Sequence, residues 1–208
     1  MKKIILLLLA MGLLVNLHSQ NFIKKNTNLT LLDGKKIELE SYFIDNENAC
    51  VFYTFLKKGT KIKTGSKFFE DIYSINDSII YNPGSAEEYT ISEMASVING
   101  SSYALKNYEP WWAIVTGAVV GTCSMFGTNN KYISNSYIGF SIPIAYMTGM
   151  YFVKPSKSYI IKHYPEYSNN DMFVQGFRDA GSRKIFRNTA ISTLSGVICG
   201  MVLSEIIK

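Results

Sequence analysis

The chain has 208 residues, 47% of them hydrophobic, with two histidines and a formal net charge of +5. That charge is local. Residues 21–89 hold nine lysines against ten Asp or Glu, whereas 154–188 hold seven Lys or Arg against Glu166, Asp171 and Asp179. A nearly neutral N-terminal region argues against nucleic-acid binding, which needs many phosphate-facing cations. The three cysteines are scattered, Cys50 in a β-patterned region and Cys123 and Cys199 in apolar stretches, which excludes an intradomain disulfide framework.

Met1-Lys2-Lys3, the apolar run 4–15 and the polar segment ending at Ser19 have the layout of a cleaved signal peptide. The run is 12 residues long, short of the ~20 that span a bilayer, so residues 1–19 are expected to be removed and the mature chain to begin at Gln20. After a lead-in over 20–26, residues 27–84 read as a small β domain. Leu29 to Leu32, then Asp33-Gly34, then Ile37, Leu39 and Ser41 in alternation predict a hairpin with a two-residue turn. Further strands are expected over 49–56, 61–63, 68–75 and 79–81. Short strands at such spacing predict a small antiparallel barrel or sandwich. Lys57, Lys58, Lys61, Lys63 and Lys67 form a run without acidic residues, suited to protecting an edge strand or to touching anionic headgroups.

Residues 85–208 read as a membrane-associated helical region. Thr90-Ile91-Ser92-Glu93 has capping-box spacing and opens an amphipathic helix over 92–109, closed by Pro110. Three apolar stretches follow, 111–126, 132–153 and 189–207, close to the ~17–25 residues of a transmembrane helix. Trp111, Trp112, Tyr132, Tyr151 and Phe152 at their ends fit an interfacial aromatic belt. Ser168-Asn169-Asn170-Asp171 repeats the capping spacing, Gly176 and Ala180 match Gly100 and Ala104, and Gly196 and Gly200 match Gly117 and Gly121. A capped amphipathic helix leading into a glycine-containing apolar helix therefore occurs twice. Glycines four apart allow close helix approach, so Gly117, Gly121, Gly196 and Gly200 are the candidate packing residues, within the chain or between copies. Arg178, Arg183, Lys184 and Arg187 are candidates for holding an amphipathic helix on a membrane surface.

The Ser19-Gln20 signal end, the Leu31-Leu32-Asp33-Gly34-Lys35-Lys36-Ile37 hairpin and Asp71-Ile72-Tyr73-Ser74-Ile75 come in that order along the chain. They are followed by the Gly100…Ala104 helix and the Gly176-Phe177…Arg183-Lys184 segment before a final Gly-xxx-Gly helix. This arrangement resembles uncharacterised envelope proteins of Bacteroidota. The resemblance implies a small β domain joined to membrane helices and implies no activity.

Catalytic chemistry has little to draw on. Once residues 1–19 are gone His163 is the one histidine, placed in a Lys-Tyr-Pro context without a nucleophile motif. No metal or cofactor motif is present in the sequence, and none is expected to bind. Glu205 is the lone charge of the last apolar stretch. The expectation is a non-enzymatic, α+β cell-envelope component, a protein-interaction or scaffold module. Its β domain would be periplasmic and its helices in a membrane, the inner rather than the outer. Its partners would be the membrane and a protein or a second copy. The alternative is a membrane-embedded binder of a lipid or small hydrophobic ligand. Three full spans would put the basic 153–188 segment on the β-domain side, against the positive-inside tendency.

Overall fold

A computed structural model describes residues 23–57, 60–84, 88–128 and 136–206. The expected signal peptide, Gln20 and Lys58 lie outside them. The chain is α+β and divides into two compact units, one made of 1–32 with 36–82 and the other of 33–35 with 83–208.

The first unit is one antiparallel sheet built from β1 (Ile23–Leu31), β2 (Lys36–Asp45), β3 (Cys50–Lys57), β4 (Lys61–Phe68), β5 (Ile72–Ile75) and β6 (Ser78–Ile79). Its order is β4-β3-β2-β1-β5-β6, and β4 and β6 do not pair. The sheet is therefore open, which corrects the expected barrel or sandwich. Closure would require the two ends to meet, and here they are the last lysine-rich strand and a two-residue stub. Alternation buries Leu29, Leu39, Val51, Tyr53, Ile72 and Ile75 in one cluster.

The turns differ from expectation in an instructive way. Asp33-Gly34 does not make a two-residue hairpin, because Thr30 pairs with Lys36 and leaves five residues between them. Asp33 Oδ1 accepts the Lys35 N–H at 3.0 Å and Gly34 takes φ +85°, a side-chain-built turn that widens the loop. The two-residue hairpin is at Asn76-Asp77, whose φ values of 49° and 63° suit the twist between paired Ile75 and Ser78. The run 68–75 is broken by a 3-10 turn, Phe69–Asp71, before β5 begins.

The second unit holds α1 (Ile91–Asn107), α2 (Trp111–Thr128), α3 (Ser136–Tyr151), α4 (Lys157–His163) and α5 (Asp171–Ile206). At the head of α1 the capping box forms. Thr90 Oγ1 accepts the Glu93 N–H at 3.3 Å, and Glu93 Oε2 accepts the Thr90 N–H at 2.9 Å. Asn170 caps α5 through Oδ1, which accepts the Phe173 N–H at 3.0 Å, so the cap is two residues later than the Ser168 of the sequence pattern. The backbone donor from Thr90 holds the Glu93 carboxyl below its ordinary value. A depressed folded value means the carboxylate contributes stability at neutral pH, lost as pH falls from 4.5 through the lower folded value. Thr90→Ala is expected to cost about 1 kcal/mol at neutral pH. Thermal unfolding repeated in acid should show a smaller penalty, because the Thr90 hydroxyl's donation to Glu93 Oε2 at 2.8 Å is already weakened once the carboxylate is protonated.

α5 is one uninterrupted helix of 36 residues, about 54 Å long. The sequence reading divides it into an amphipathic and an apolar part; both lie on the same rod. On the other copy of the pattern Pro110 does break the chain, so α1 and α2 are separate helices in line along α5. Ser101 donates to Gly176 O, Lys184 to Leu105 O, and Thr122 to Gly196 O. These pairings ascend together, so α1 and α2 run parallel to α5. α3 runs back against α2: Tyr146 donates to Thr116 Oγ1, and Met150 near the end of α3 shares a buried cluster with Ala113 near the start of α2.

Candidate functional site

The α2–α5 contact is a glycine seam. A Cβ on Gly121 would collide with Thr193 O and come within 2.8 Å of Val197 N. One on Gly196 would collide with Ala118 O and come within 3.0 Å of Thr122 N. Gly117 lies against Ser192 Oγ and Thr189 O, and Gly200 against Thr122 O and the Met125 Cβ. All four glycines therefore face the partner helix, backbone against side chain or backbone.

The paired environments reveal a local two-fold relation. Gly121 stands to Thr193 and Val197 as Gly196 stands to Ala118 and Thr122. Gly100 likewise meets Phe173 O and Phe177 N while Gly176 meets Val97 O in the α1–α5 contact. The equivalence pairs Gly121 with Gly196, one turn away from the match of Gly117 with Gly196 that the sequence pattern suggests. Around the seam Ser192 Oγ donates to Thr189 O at 3.1 Å, while the Oγ1 atoms of Thr189 and Thr193 are buried without a partner among the described residues.

Above the seam, α1, α4 and the first half of α5 pack an aromatic core. Phe173 and Phe177 are fully buried and meet Tyr103, Tyr108, Tyr164 and Tyr167. His163 is the last residue of α4, exposed, stacked on Tyr159 at 4.0 Å and hydrogen-bonded through Nδ1 to Tyr159 O. It is a helix-end residue rather than a loop histidine. Among the described residues no three His, Cys, Asp or Glu side chains form a metal-binding group. Cys50 is buried in the sheet, and Cys123 and Cys199 are exposed and unbridged.

The four basic candidates divide. Arg178 donates to Pro155 O at 3.2 Å and Arg183 to Asp33 O at 3.2 Å. Lys184 Nζ donates to Leu105 O at 3.0 Å, a cation on the last carbonyls of α1 where the helix dipole favours it. Three of the four thus tie the helical unit together. Arg187 is exposed and opens with Lys184 onto a cleft of about 200 Å³ beside Glu109, Trp111, Ile114 and Asn188. A second cleft of about 450 Å³ lies at the same stretch of α5, between Tyr151, Phe152, Arg183 and Phe186, where Lys154 is paired with Asp179 at 2.6 Å.

Beyond this level the surface changes character. Val115 and Val119 on α2, Ile142 and Ile144 on α3, and Ile191, Leu194, Ile198 and Val202 on α5 are all exposed, several at more than half their area. Monomeric soluble proteins rarely leave contiguous apolar surface of this extent. α5 is long and apolar enough to be a candidate membrane span, and α2 is a shorter apolar helix. The glycine spacing behind the seam was open to sequence reasoning. The cleft at Trp111 was not, since it joins residues over seventy positions apart. Neither a protein-family model, a curated protein nor a solved structure matches the chain.

Proposed function

We propose that this is a non-enzymatic cell-envelope protein whose α2, α3 and the second half of α5 form a three-helix membrane anchor for the open β sheet. The exposed apolar belt on all three helices is the observation that carries this reading. In lipid such surface is solvated by acyl chains, and the glycine seam supplies the van der Waals packing that replaces hydrophobic drive between helices. Trp111, Tyr151 and Phe152 stand where the helices turn apolar, the depth at which amphipathic aromatics anchor. The helices are 16–18 residues long, or about 24–27 Å, a little under a typical hydrocarbon thickness. The periplasmic side for the sheet is inferred from the signal-peptide layout of residues 1–19, and the inner membrane from anchoring by apolar helices.

The sheet would serve as the interaction module. β4 is an edge strand carrying Lys61, Lys63 and Lys67, and on the opposite face of its hairpin with β3 stand exposed Phe52, Leu56, Ile62 and Phe68. Its lysines oppose pairing with a copy of itself and favour an acidic protein partner. The first test is alkaline carbonate extraction of membranes carrying the full chain. The protein is expected to stay with the bilayer, and release into the supernatant would overturn the anchor. A photo-cross-linker at Thr64 should then capture a discrete protein, and Lys61→Glu/Lys63→Glu should abolish that adduct.

A further inference from the structure

Resting on that membrane reading, we infer that the cleft between α2 and α5 at Trp111 holds the headgroup of an anionic phospholipid. It lies where α5 changes from polar to apolar and the apolar α2 begins, so a headgroup there would have its acyl chains against the exposed faces of α2 and α5. Ile114 and Trp111 form the apolar lower wall, and the exposed indole of Trp111 fits an interfacial depth. Lys184 and Arg187, one turn apart on α5, both open into it with Asn188, against the single carboxylate of Glu109. Among the described residues neither cation is in an ion pair and Arg187 donates no hydrogen bond, leaving its planar fork for a phosphate. The neighbouring cleft is less suited, because its Lys154 is already neutralised by Asp179. The shared chemistry is recognition of a phosphate ester by a guanidinium and an ammonium; the acyl-facing wall favours the lipid over free phosphate.

The chain's two tryptophans, Trp111 and Trp112, are both at this level, so tryptophan emission, excited selectively over the 14 tyrosines, reports on it. The full chain would be reconstituted in phosphatidylcholine vesicles containing a small fixed fraction of acyl-brominated phosphatidylcholine or of acyl-brominated phosphatidylglycerol. Both lipids should quench. The phosphatidylglycerol should quench more, consistent with about thirtyfold local enrichment by two surface cations at about 1 kcal/mol each. Arg187→Gln should lose most of that excess and leave phosphatidylcholine quenching unchanged. It is chosen over Lys184, whose removal also uncaps α1. Lys184→Gln/Arg187→Gln should remove the excess altogether. Equal quenching by the two lipids, or an excess that survives both variants, would overturn the site. Loss of the excess on adding inorganic phosphate would reassign it to a free anion. Absence of quenching by either lipid would instead sink the membrane reading itself.

Discussion

Gly121→Leu/Gly196→Leu is expected to separate α2 from α5 and to destabilise the helical unit by at least about 3 kcal/mol. The obstacle at each position is backbone. Thr193 O and Val197 N stand over Gly121, and Ala118 O and Thr122 N over Gly196. A side chain can rotate away from an intruding methyl group, whereas a helical carbonyl can move only with its helix. The two substitutions also push on the same seam from both sides, so their effects should not be independent. Thermal unfolding in detergent, followed by far-UV circular dichroism, measures the loss. Gly149 supplies the control, since a Cβ there meets nothing within 4 Å. Gly149→Leu should leave the unfolding midpoint unchanged or raise it, leucine being the better helix former. Wild-type behaviour of the double variant, or equal damage from Gly149→Leu, would show that the seam does not hold these helices together.

Much of this architecture was legible because its signals are local. The Thr90–Glu93 box needs only four residues, the Gly-xxx-Gly spacing five, and the strand alternation of Leu29, Leu39 and Val51 reads directly as one buried face. What failed was non-local. Strands of a barrel and of an open sheet carry the same alternation, and only the absence of a β4–β6 pairing separates them. Asp33-Gly34 matches a two-residue turn by composition, yet the Asp33 carboxylate bonded to the Lys35 N–H selects a longer loop. The break at Pro110 and its absence from α5 explain why the two copies of the helical pattern are out of step. A straight rod and an interrupted one cannot keep a single register, so the spatial equivalent of Gly196 is Gly121 rather than Gly117. The basic residues 178–187 suggest a membrane surface by composition, but Arg178, Arg183 and Lys184 spend donors on carbonyls of their own chain. Arg178 and Arg183 are thereby bound to their own chain, whereas Lys184 spends one of its three ammonium donors and Arg187 faces the cleft.

Leu194→Asp/Ile198→Asp is expected to abolish stable membrane insertion of α5. Both side chains point away from the protein, at 55% and 62% exposure, one turn apart in the apolar half of the helix. In water, aspartate at such positions costs within about 0.5 kcal/mol, because no packed contact is lost and a solvated surface is gained. In a bilayer each carboxylate near the middle of a spanning helix costs about 2.5–3.5 kcal/mol. The pair therefore separates the two environments by roughly 5–7 kcal/mol, far more than any rearrangement of the α2–α5 seam would mask. Insertion is read by the carbonate-resistant fraction, and integrity by helical content of whatever is released. A variant that leaves the membrane fraction while remaining helical is the expected result. A variant that inserts as fully as wild type, or a wild-type chain that is already soluble and gains nothing from the change, would place these faces in contact with protein. The buried neighbours Thr193 and Val197 provide the complementary reading. Aspartate at either would strike α2, so it should disrupt the helical unit in detergent as well, which the exposed pair should not.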